Sequence, residues 1–166
     1  YGKLLRRNLA RNPLGPSMSS VGSIRKTDDL SVVQDGGRPV LQMLENGGST
    51  SFYLDQADNF APPVGTKVHF AAEVKVTEDI SALMRIRLAT YNSAATSNAT
   101  GTPNLAQLVS QGWVSHDLES TILEMPSSGY TRAIVYPGTG ASAFFSTGKG
   151  ILVKNYLIEY GTKGPF

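Results

Sequence analysis

ILVKNYLIEYGTKGPF, residues 151–166, carries large apolar side chains at Ile151, Leu152, Val153, Tyr156, Leu157, Ile158 and Tyr160, then stops at Gly161. Successive side chains of a strand point to opposite faces, so apolar residues of both parities need cover on both sides. An edge position would leave a row of ladder groups and one apolar flank in water. The segment therefore predicts a layered β protein with its closing strand in the middle of a sheet.

Composition agrees with that reading. Only 17% of the residues are charged while 40% are hydrophobic, and 17 Gly and 9 Pro supply turns, a balance that favours strands and loops over helices. The 166 residues suit one domain over 1–166 with a full core. The chain opens on Tyr1, which reads as a processed form or a module of something longer. A net charge of +2 argues against a nucleic-acid partner. The basic group Arg6, Arg7 and Arg11 reads as solvated. Without cysteine there is no disulfide framework, thiolate metal site or cysteine nucleophile. No stretch reaches the roughly 20 apolar residues of a membrane span, and none reads as a signal peptide.

The alternation is clearest in KVHFAAEVKVTE, 67–78. Val68, Phe70, Ala72, Val74 and Val76 share one parity; Lys67, His69, Glu73 and Lys75 share the other. Beyond the turn-like Glu78-Asp79, ALMRIRLATYN (82–92) places Met84, Ile86 and Leu88 on one face and Arg85, Arg87 and Tyr91 on the other. These two segments read as neighbouring antiparallel strands. RPVLQMLE (38–45) and TSFYLD (50–55) flank Asn46-Gly47-Gly48, a hairpin signal. Further strands are predicted at 111–124, at 130–136 before Pro137-Gly138, at 151–160, and near the start in LLRRNLARNP. SAATSNATGTPN, 93–104, reads as a loop, and Leu105, Leu108 and Val109 are spaced for one helical turn. About eight strands without a βαβ rhythm predict an all-β fold: a two-sheet antiparallel β-sandwich of jelly-roll type with little helix.

Several of these segments resemble carbohydrate-binding-module-like domains of phage tail proteins. RRNLARNP resembles their opening, KVHFAAEVKV and the Gly-Trp strand QGWVSHDLES their middle, and ILVKNYLIEYGTKGPF their last strand. The resemblance implies a noncatalytic module of a phage tail-tip or minor tail protein, outside the cell on the virion, either holding host cell-surface saccharide or packing as virion structure. Other tail proteins, and a trimer or ring of this chain, are the implied neighbours. It also implies a structural Ca²⁺ held by an Asp on the last strand. The step here reads Lys154-Asn155, and an ammonium does not ligate Ca²⁺, so no cofactor is expected.

Sugar recognition calls for flat aromatic faces bordered by forked polar donors. Arg85, Arg87 and Tyr91 meet that need on one non-core strand face. Tyr53, Tyr136 and Trp113 extend the platform if their strands adjoin it. Strict alternation opposes Trp113 to Val114 and His116 and would turn it outward, but strand entries often break parity and a lone Trp is more often part of a core or its edge, which is the expectation here. Phe144 and Phe145 should divide between faces.

Ser115-His116-Asp117 spells a hydrolase triad in letters only, because adjacent strand residues point to opposite faces. His116 is expected to be a hydrogen-bonded histidine of the interior or rim, His69 exposed without an adjacent ligand-type partner, and Asp117 and Glu119 on a solvated face. A purely structural packing role in a virion tail is the main alternative function. A polysaccharide lyase or hydrolase is the remoter one.

Overall fold

The period-two pattern of 67–76 becomes a ten-residue strand, with Val68, Phe70, Ala72, Val74 and Val76 all buried in the core. The computed structural model describes residues 30–44, 52–54, 63–91, 96–103, 105–123, 130–137 and 145–160. Among these lie ten strands: β1 (Leu30–Asp35), β2 (Arg38–Leu44), β3 (Phe52–Leu54), β4 (Lys67–Val76), β5 (Ile80–Tyr91), β6 (Thr96–Gly101), β7 (Leu105–Gln107), β8 (Val114–Thr121), β9 (Tyr130–Pro137) and β10 (Gly150–Tyr160). A 3-10 turn at Val109–Gln111 is the helix found among them. The first sheet runs β1-β2-β10-β4-β8; the second runs β3-β9-β5-β6, with β7 also paired to β5. Every pairing is antiparallel. The all-β, two-sheet jelly-roll expectation holds.

So does the place of the closing strand. β10 lies between β2 and β4, third of five. Ile151, Val153, Tyr156 and Ile158 enter the core, while Leu152 and Leu157, which the register assigns to the opposite face, are buried as well. Its parity shifts once. Pairing with β4 slips between Lys154 and Leu157, and Asn155 takes φ 47°, a left-handed conformation that asparagine tolerates better than most residues. This bulge keeps Val153 and Tyr156 on the same side although they are three apart. Burial pushes the Tyr156 hydroxyl up to about 12, so it stays a neutral phenol in the core.

Four sequence expectations are corrected. β2 and β3 form no hairpin: β2 pairs with β1 and β10, and β3 pairs with β9 in the other sheet. The tight hairpin is β1–β2, turning on Gly36 (φ 57°) and Gly37 (φ 78°), the two positive-φ positions that a primed turn requires. β4 and β5 likewise belong to different sheets. Their link crosses the sandwich and is fastened by Glu78, whose carboxylate accepts both the backbone N–H and the hydroxyl of Ser146 at 2.7 Å. Residues 96–101, read as loop, form β6, an edge strand whose small polar side chains hide its pairing with β5. Leu105 lies in β7 rather than in a helical turn, which begins only at Val109. The additional strands are thus β1, β6 and β7, while the expected first strand lies outside the described residues, as do Asn46-Gly47-Gly48 and Phe144.

A buried polar bridge joins the layers. The Gln107 side-chain amide donates to the Val74 carbonyl oxygen at 2.7 Å, and its oxygen accepts from His116 Nε2 at 2.9 Å. His116 is therefore the interior, hydrogen-bonded histidine its parity predicts, with its pKa lowered by burial. Phe145 packs in the core.

Candidate functional site

Register assembles the candidate face on the second sheet. Ile86, fully buried, fixes the core side of β5, so Arg85, Arg87, Ala89 and Tyr91 belong to its other face. β9 pairs with β5 so that Tyr136 lies opposite Arg85, Ile134 opposite Arg87, Arg132 opposite Ala89 and Tyr130 opposite Tyr91. β3 adds Tyr53, opposite Ile134. Residues paired across strands share a face, so three strands bring Arg85, Arg87, Tyr91, Tyr53 and Tyr136 together. Tyr130 and Arg132 join them. Sequence reading missed these two because nothing in YTRAIVY reveals its partner strand. On the neighbouring edge strand the same face carries Gly101 opposite Arg87 and Ala99 opposite Ala89. None of these register positions is Asp or Glu, and the paired positions on β6 are small residues.

Trp113 is on the other sheet. It immediately precedes β8 and lies half-buried on the outer face of the first sheet, away from the core. Its indole N–H donates to Asp35 Oδ2 at 3.1 Å, and the ammonium groups of Lys154 and Lys75 lie 4.1 and 5.9 Å from the ring centroid. Lys75 also donates to Asp35 Oδ1 at 3.1 Å. The Lys75 and Trp113 hydrogen bonds hold the Asp35 carboxyl below the usual carboxylate range. The core position expected for Trp113 is thus corrected in favour of the outward direction its parity gives, and the sheet assignment removes it from the arginine–tyrosine platform.

The same outer face corrects the expectation for His69. Its side chain is 0% exposed, with Nε2 2.9 Å from Asp117 Oδ1 and Nδ1 3.0 Å from Glu159 Oε1. β8, β4 and β10 are adjacent, so the ring ties three strands. Parity identified the face; the burial of that face leaves no mark within 67–78. Asp117 is accordingly engaged with His69 rather than simply solvated. The imidazole separates the two carboxylates, and among the described residues no group of three or more His, Asp or Glu could hold a metal ion. The last-strand step does not fit calcium either. Lys154 places its ammonium over Trp113, and the Asn155 amide N–H donates to Glu73.

No family model matches the chain, nor does any curated protein. Solved structures do. The chain is similar to the CBM22-1 xylan-binding domain of Paenibacillus barcinonensis Xyn10C, with a TM-score of 0.52 and 15% identity over 97% of this chain and 96% of that one. It is also similar to TmCBM61 in complex with β-1,4-galactotriose, with a TM-score of 0.50 and 13% identity over 92% and 97%. The likeness is one of fold: these structural neighbours are carbohydrate-binding modules built as β-sandwiches.

Proposed function

We propose that this chain is a noncatalytic carbohydrate-binding module that holds glycan on the outer face of its second sheet. The observation carrying this reading is the three-strand register that gathers Tyr53, Arg85, Arg87, Tyr91 and Tyr136 on one face. Tyrosine rings offer flat surfaces to the C–H faces of a sugar, and guanidinium forks donate to its hydroxyls. A shallow face buries little of a sugar, so single-site affinity is weak and useful attachment comes from many copies. The fold of the neighbours supports this role, since one of them is a xylan-binding domain and another holds a galactotriose.

The setting belongs to the same proposal: a phage tail tip outside the host cell, with other tail proteins as neighbours and the chain assembled as a trimer or ring. Its support is the resemblance of the closing strand, the alternating central strand and the Gly-Trp segment to such modules. Light scattering and a contact map of the intact particle test it.

The function is tested by retention on a glycan array that includes host cell-wall saccharides. Wild type should be retained, and Arg85→Ala combined with Tyr136→Ala should bind about tenfold or more weakly, the scale of one lost charge-assisted hydrogen bond. Retention unchanged by the pair would remove this face from the site. No retention of wild type, with the face buried between subunits of an assembly, would establish the packing role instead. Release of unsaturated ends from acidic polysaccharide would make the chain a lyase.

A further inference from the structure

The outer face of the first sheet holds a second constellation. Lys154 and Glu73 are opposite each other in the β10–β4 register, where a cross-strand ion pair would be ordinary. The bulge diverts that pairing: Asn155 takes up Glu73 through its amide. Asp35, the other nearby carboxylate, receives Lys75 and the Trp113 N–H. Lys154 is left with the indole face at 4.1 Å, and no carboxylate of the described residues lies within ion-pair distance of it. Trp113 and Lys154 are both only half-buried, and the exposed Arg38 follows at the tip of the β1–β2 hairpin, opposite Asp35 in register. Asp35 is close enough to feel the Lys154 charge, but its oxygens are taken by Lys75 and the indole N–H, so Lys154 has no carboxylate bonded to it. A cation positioned by an aromatic ring without a bonded carboxylate is a binding element for an anion.

We propose that Trp113 and Lys154 form a second subsite for an acidic saccharide, its carboxylate on the Lys154 ammonium and its ring edge against the indole. The choice of a sugar rests on the carbohydrate-binding role proposed above; the anionic character rests on Lys154 alone. The two subsites lie on different sheets, so each can fail without the other.

Trp113 is the chain's only tryptophan, which makes its emission a local probe. Titrating the full chain with trigalacturonate should shift that emission saturably, whereas sodium chloride at equal ionic strength should not. Lys154→Met should weaken binding at least tenfold, and Lys154→Arg, keeping the charge, should restore most of it. Thermal melts establish that each variant is folded, with Lys154→Gln replacing Met if Met is not. Silent emission through millimolar trigalacturonate, an equal response to salt, or an unchanged Kd in the charge-removing variant would overturn the subsite. Array retention of neutral glycans reads the arginine–tyrosine face, so a silent tryptophan with positive retention removes this subsite alone. The converse leaves it standing.

Discussion

His116 shows what a single buried side chain does to the pH response. Gln107 donates its amide to Val74, so its oxygen is an acceptor, and His116 must donate from Nε2. Burial lowers the pKa of His116, which means the unfolded chain binds a proton that the folded chain refuses. Stability from this group is therefore complete above the unfolded value, about 6.5, and is lost as pH falls from there through the lower folded value. In thermal melts between pH 7 and pH 5, wild type should lose Tm more steeply than His116→Gln, which has nothing to titrate there. Parallel curves would show that His116 carries no such penalty. Residue-scale reading of the sequence succeeded for His116 because its own strand alternates cleanly. It failed for His69 because burial on the outer face depends on Asp117 and Glu159, 48 and 90 residues away.

Among the elements, β10 concentrates the constraints. Its apolar residues at both parities made its central place legible, and the alternation of β4, β5 and β8 was legible for the same reason: each strand records its burial in a period of two. Pairing partners were not legible. Asn46-Gly47-Gly48 advertises a hairpin that the sheets do not use, and β6 pairs through its backbone with little help from its side chains. The candidate face suffered the same loss, since Arg85, Arg87 and Tyr91 share one strand while Tyr130 and Arg132 join them only through register. At the entry to β10, close packing leaves no room for a side chain. A Cβ on Gly150 would lie 1.8 Å from the Met43 carbonyl oxygen, a backbone atom that cannot swing aside. Thr77 also donates to the Gly150 carbonyl and accepts from its N–H. Gly150→Ala should therefore destabilise by about 3 kcal/mol, the upper part of the overpacking range, seen as a lower midpoint in urea. A midpoint equal to wild type would show that β2 and β10 are not so closely apposed.

At the scale of the whole molecule, the two sheets divide the labour. Core contacts unite β2, β4, β8 and β10 with Ile80 and Ile86 of β5, so the sandwich unfolds as a unit, while the two outer faces differ in chemistry. The first sheet buries even part of its outer face, with Val40, His69, Leu152, Leu157 and Glu159 all buried there. The second presents arginine and tyrosine positions. Backbone protection should follow this arrangement. Amides of β10 and β4 are flanked by strands on both sides and open only with global unfolding, whereas β6 and β8, each at an end of its sheet among the described residues, open locally at lower cost. Native-state deuterium exchange should therefore be slowest over 151–158 and 68–76, with β6 exchanging orders of magnitude faster. The bulge at Asn155 predicts one local exception, an amide less protected than its neighbours on the same strand. If 151–158 exchanged as quickly as β6, the closing strand would have to sit at an edge, and the sheet order that separates the Trp113 subsite from the arginine–tyrosine face would fall with it.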